Sequence, residues 1–226
     1  LSRFKVLNQP KATLMPITPK PIATPITIEQ GRGGERLPLL ATDAMNARQR
    51  EVAAALINGP RKAIYGPFVP LLHKPDLLAC VAQLGETLRF GGQLPADVRE
   101  LVVCVVACHV GNQFEWVMHA PLAVTAGIPA AALESIRNKL APAGLNDAQQ
   151  TAYVFCVELL SQHEVPDATY QRAVMAFGTD NVVELSTLIG YFAMVCWVMN
   201  VARTPSRPTA DVLPLVSMDI GLSSPA

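Results

Sequence analysis

Charge of either sign is scarce in this chain of 226 residues: Asp, Glu, Lys and Arg make up 16% of it, with 18 acidic side chains against 18 basic ones. A chain with no net field has nothing with which to hold a polyanion, so nucleic acid and anionic membrane surfaces are not expected partners. Paired metal-type cysteine spacings are missing. The five cysteines (Cys80, Cys104, Cys108, Cys156 and Cys196) form an odd set in apolar surroundings with no CxxC among them. They read as small buried hydrophobes and imply a reducing cytoplasm rather than a disulfide framework. No glycine-rich phosphate loop, nucleophile elbow or zinc motif occurs, so no cofactor is expected. The first residues do not show the basic segment and apolar stretch of a signal peptide. Sustained period-two alternation is also missing, which leaves little room for strands.

What the chain does have is apolar residues, 50% of the total, enough for a full core at this length. They are concentrated between two proline-rich ends. Residues 1–40 carry Pro10, Pro16, Pro19, Pro21, Pro25 and Pro38 and the run Gly31 to Gly34, and read as an extended arm or tail. Residues 205–226 form a second such tail with Pro205, Pro208, Pro214 and Pro225, leaving residues 41–204 as the folded domain.

Within that domain the punctuation is helical. Thr42 or Asp43 can cap a helix that Asn58-Gly59-Pro60 stops, and Pro75 suits the first position of another that runs to Gly91-Gly92. Pro95 opens a nearly all-apolar helix carrying Val98, Leu101, Val102 and Val105, which Gly111 breaks. A helix from about Gln113 ends at Gly127, Asn146 and Gln149 pair as a cap for the next, and helices near 166–177 and 182–202 complete an all-α fold. The apolar stretch 185–201 falls a little short of a bilayer span and contains Ser186, Thr187, Gly190 and Asn200, so it reads as a buried core helix. The tripeptide Trp-Val-Met occurs twice, at Trp116 and Trp197, followed by His119 in one copy and Asn200 in the other. Either a duplicated hairpin or coincidence accounts for it.

The chemistry-bearing residues cluster between Glu100 and His119. Glu115 and His119 are four apart, so on a helix they share a face and can hydrogen-bond, which would fix the imidazole tautomer and raise its pKa. The same spacing also describes an ordinary surface pair. Glu100 precedes so apolar a run that it is drawn inward, and His119 across the Gly111 turn is its candidate partner. Arg89, just before Gly91-Gly92, and His73, in a loop entering a helix, are candidates for holding a substrate carboxylate, although each also has a solvated or capping reading. His109 reads as a core histidine and His163 as a helix-end cation.

These residues sit in LPADVRELVVCVVACHVGNQFEWVMHAPLAVTAGI, residues 94–128, which resembles the core motif of the carboxymuconolactone decarboxylase and AhpD-like alkylhydroperoxidase superfamily. GPFVPLLHKPDL and LRFGG upstream, and FGTDNVVELSTLIGYFAMV downstream, extend the likeness over roughly residues 45–203. The resemblance implies an AhpD-like helical bundle whose subunits assemble as trimers or hexamers, and a small-molecule substrate. In the peroxidase branch a CxxC pair lies between a glutamate and a histidine. Here Glu100 and His119 match those two, and Asn112 and Glu115 stand where the cysteines would be. Neither can form a thiolate or resolve a sulfenic acid, so thiol peroxidase chemistry is not expected. Glu-Trp-x-x-His is closer to the decarboxylase branch. The resemblance therefore implies a cofactor-independent lyase or proton-transfer enzyme acting on a carboxylated or lactone substrate. In that reading His119 is the acid/base, Glu115 orients it, Glu100 relays or supports, and Arg89, His73 and Trp116 bind substrate. The competing readings are a redox protein using Cys108 and a non-catalytic oligomer.

Overall fold

The computed structural model describes residues 34–206 and 212–215. Most of the proline-rich arm and most of the C-terminal tail lie outside the described residues. No strand occurs among those described, and the all-α expectation holds. Helix α1 (Ala47–Asn58) begins at Asn46. Its side chain accepts from the Gln49 N–H while the Gln49 amide accepts from the Asn46 N–H, each at 2.9 Å. This reciprocal cap displaces the start expected at Thr42 or Asp43. Next come a single turn, α2 (Phe68–Leu71), and α3 (Pro75–Glu86) with proline at its first position. A wider π-type turn over Thr87–Gly91 extends α3 and carries Arg89.

The core is organised around α4 (Ala96–Val110), which packs against α5 (Gln113–Ala126), α6 (Ala130–Arg137), α7 (Asp147–Gln162) and α9 (Thr179–Ala202). Val98, Leu101, Val102, Val105 and Val106 are wholly buried, each contributing about 1.5–3 kcal/mol through apolar area removed from water. A helix apolar on all sides has to be central, because no face of it is suited to water. Helix α8 (Asp167–Phe177) packs on α7 and α9. Helix α6, which follows Pro129, was not among the expected helices. Here that proline stands at the N-cap, with the Ala132 and Leu133 N–H groups donating to its carbonyl.

Helix α9 is long and apolar enough to cross a membrane by length and composition. In this fold Leu185, Leu188, Ile189, Val195 and Met199 are instead buried among the other helices. The two Trp-Val-Met copies fall on α5 and α9 with opposite exposure: Trp116 is 2% exposed and Trp197 59%. Equivalent positions of a duplicated hairpin would bury the same side chain, so the repeat reads as coincidence.

Candidate active site

Two turns of chain geometry bring the site together. Gly111 closes α4 in the left-handed region at φ 72°, where a side chain would be strained, and the Asn112 N–H reaches back to the Ala107 carbonyl at 2.9 Å. The chain then reverses into α5, so that Glu100 and His119, on opposite sides of the turn, meet. Asn112 caps α5. Its Oδ1 accepts from the Glu115 N–H at 2.8 Å, and its buried amide donates to Asn200 Oδ1 at 2.9 Å. The residue standing in the first cysteine position of the peroxidase pattern thus fixes the first turn of the helix that carries Glu115.

His119 lies between two carboxylates. Its Nδ1 is 2.6 Å from Glu100 Oε2 and its Nε2 is 3.1 Å from Glu115 Oε2, and all three side chains are buried. Both ring nitrogens can donate only in the imidazolium form. Burial works against that charge, but the hydrogen bonds to Glu100 and Glu115 outweigh it, and the His119 pKa is raised above its ordinary value. For Glu100, burial pushes upward, while the His119 hydrogen bond and the charges of His119, Arg89 and Arg99 pull harder, so its pKa is lowered. Both shifts favour the charged form of the pair. The Glu115–His119 contact is a buried one, not the surface pair its spacing also permitted.

His119 and Glu115 open onto a cavity of about 70 Å³, also lined by Arg61, Arg89, Tyr65, Phe68, Phe114, Tyr191 and Phe192. Glu100 stands behind the imidazole and does not line it. The Phe192 ring meets the imidazole edge-on at 5.3 Å, closing the apolar side. Of the expected site residues, the structure brings Glu100, Glu115, His119 and Arg89 together. The other two fall elsewhere. His73 is exposed at the start of α3, with Nε2 3.1 Å from the Pro38 carbonyl, so its ring is engaged with the segment before α1. Trp116 points to the other side of α5, where its indole N–H donates to the Leu213 carbonyl at 3.0 Å, tying down the 212–215 strap. Positions 116 and 119 are three apart but straddle the helix face here, one meeting the strap and the other the cavity. Neither His73 nor Trp116 lines the cavity, against expectation.

Arg61, Tyr65, Tyr191 and Phe192 were missed. They come from two separate segments, the loop between α1 and α2 and helix α9, and no local motif marks them. Glu184 on α9 holds the backbone before α4. Its carboxylate accepts from the Gln93 and Leu94 N–H groups at 2.9 and 3.3 Å, fixing the approach to that helix.

None of the cysteines lines the cavity, and all are free. Burial pushes the Cys108 thiol up to about 11, and its S–H donates to the Ile136 carbonyl at 3.1 Å. A thiol held in that state is a poor nucleophile near neutrality. Among the described residues no cluster of His, Cys, Asp and Glu is arranged to hold a metal ion.

Residues 75–155 match the carboxymuconolactone decarboxylase family (CMD). Solved structures share the fold at low identity. An uncharacterised peroxidase-related protein with an alkylhydroperoxidase AhpD core from Ralstonia eutropha JMP134 is 16% identical, with a TM-score of 0.63 over 76% of this chain and 92% of that one. A peroxidase-related protein from Silicibacter sp. TM1040 is 14% identical, at TM-score 0.59 over 76% and 92%. A variant of the debrominase Bmp8, in complex with 2,3,4-tribromopyrrole, is 11% identical, at TM-score 0.60 over 78% and 93%. No curated protein matches the chain in sequence. The family match thus spans α3 to α7, and the helical bundle around it is the fold of these AhpD-like structures.

Proposed function

We propose that this cavity is the active site of a cofactor-independent lyase, or a related proton-transfer enzyme, acting on a small carboxylated or lactone substrate. The observation that carries the reading is the buried Glu100–His119–Glu115 chain ending at the cavity wall. Loss of carbon dioxide leaves the electron pair of the broken C–C bond on the substrate as a dienolate. The His119–Glu115 unit delivers one proton to that carbon and recovers one from solvent. Because Glu100 backs the ring and Glu115 faces the cavity, Glu100 is the orienting group and Glu115 shares the travelling proton, a reversal of the roles expected with the resemblance. Arg89 reaches the same cavity and suits a substrate carboxylate. The fold relative that binds a brominated pyrrole supports a small flat ring as ligand.

Carbon dioxide release from small carboxylated lactones tests the reading. The lyase assignment fails if a demonstrated decarboxylation survives both Glu115→Gln and His119→Ala. Peroxidase turnover with a dithiol donor, lost in Cys108→Ser, would support the redox alternative instead.

The pH dependence has a defined sign. A proton donor with a raised pKa keeps its activity past the ordinary histidine value of 6.5 and loses it as pH rises further. Glu100→Gln removes one of the two anions holding the imidazolium, so the alkaline limb of kcat/KM moves to lower pH. An unmoved limb would show that Glu100 does not set the charge of His119.

Assembly belongs to the same reading. Met118 and Leu122 stand at the cavity rim, 43% and 40% exposed, and Trp197 and Val201 are exposed on α9. A second copy covering such apolar surface would close the site. Sedimentation velocity is expected to give a trimer or hexamer, and a monomer at micromolar concentration would contradict this.

A further inference from the structure

The loop between α1 and α2 places a guanidinium where a structural arginine is not expected. The Arg61 side chain is 3% exposed, and its Nε and Nη2 have no hydrogen-bond partner. The nearest carboxylate, Glu86 Oε1, is 3.7 Å away, beyond hydrogen-bond reach, and belongs to a side chain 36% exposed to water. A guanidinium stays charged in any protein setting, and burying one with idle N–H groups is costly. The Phe68 ring covers it, with its centroid 4.2 Å from Cζ, and the Tyr191 hydroxyl and the Glu86 carboxylate lie beside it. A cation over a ring face is stabilised without using its N–H groups.

Gly85 of α3 leaves the room. A Cβ there would lie 2.7 Å from Arg61 Nη2 and 2.1 Å from the Tyr191 hydroxyl. Arg61 and Tyr191 line the same cavity as His119, Glu115 and Arg89. Of the ionisable side chains lining the cavity, Arg61 and Arg89 are cations and Glu115 is the carboxylate, with His119 shared between Glu115 and Glu100.

We propose that Arg61 is an anion anchor of this cavity, receiving a ligand carboxylate that stays on the ligand throughout the reaction. A guanidinium set on the departing carboxylate would stabilise the ground state above the transition state and slow carbon dioxide loss, so the anchored group is the one retained. The proposal rests on the cavity being the binding site, but not on decarboxylation.

Acetate is small enough to serve as the probe, with acetamide as its neutral counterpart. The His119 ring resonances of the wild-type protein are expected to shift saturably with acetate and not with acetamide. Arg61→Met is expected to weaken acetate binding about tenfold or more. Far-UV circular dichroism checks that this variant folds. If it does not, Arg61→Lys in the same titration decides, because lysine keeps the charge and loses the planar fork. It is then expected to bind acetate several-fold more weakly. An unchanged titration in the deciding variant, no saturable shift in the wild type, or equal response to acetamide overturns the proposal. A protein that binds acetate through Arg61 but releases no carbon dioxide from any lactone overturns the lyase reading alone.

Discussion

His119→Ala is expected to lower kcat by about 10²- to 10⁴-fold on any substrate the protein decarboxylates, the usual contribution of a positioned acid/base. The loss should be larger than that of either neighbouring carboxylate, because the imidazole pairs with both. Removing the ring also leaves Glu100 and Glu115 buried around a hole, their shared cation gone. Breaking a buried ion pair from one side costs about 3–5 kcal/mol, so the variant should melt well below the wild type. Activity therefore has to be read below its own melting temperature, with circular dichroism on the same sample. His119→Ala that retains full kcat while folded would remove the group on which the mechanism turns.

Linkage adds a pH window to that stability. The raised pKa of His119 stabilises the fold fully below its ordinary 6.5, and the contribution fades as pH rises through the folded-state value. The lowered pKa of Glu100 acts in the opposite sense: its contribution is present above the ordinary 4.5 and fades as pH falls through the folded-state value. The ion pair should thus stabilise most strongly between those two limits, and the wild-type advantage over His119→Ala should be greatest there.

Trp116→Ala is expected to destabilise the protein by about 3–5 kcal/mol, the range for truncating a buried aromatic. The indole is 2% exposed and its N–H donates to the Leu213 carbonyl, while neighbouring Gln113 exchanges two hydrogen bonds with the Leu215 backbone at 2.9 and 3.0 Å. Losing the ring therefore empties core volume and releases one clamp on the 212–215 strap. Trp116→Phe keeps most of the volume and loses the N–H, and should cost about 1 kcal/mol, roughly 2–4 °C in Tm for a chain of this size. Both variants should keep wild-type KM on the folded fraction, because Trp116 does not line the cavity. A raised KM at unchanged Tm in Trp116→Phe would restore the substrate contact that the structure moves away from this residue.

The contrast between Trp116 and His119 shows what was legible in the sequence. Gly111, Gly127, Pro75, Pro95 and the Asn146–Gln149 cap act over one helical turn, and each bounds the element it was read to bound. The inward pull on Glu100 was legible for a related reason: a carboxylate embedded in a fully apolar helix needs a partner, and the turn at Gly111 offers only α5. Which side of α5 faces the cavity was not legible, because its apolar residues surround the helix and give no stripe to orient it. Arg61 was hidden for a different reason. Its role depends on Phe68 beneath it, a glycine on α3 beside it and Tyr191 from α9, four positions no local pattern connects.

The most direct test of the account is the titration of His119 itself, followed through its ring ¹⁵N resonances in the folded protein. The account predicts an imidazolium with both nitrogens protonated at pH 6.5, titrating above that value in the wild type and at lower pH in Glu100→Gln. A neutral ring at pH 6.5, unaffected by Glu100→Gln, would contradict it.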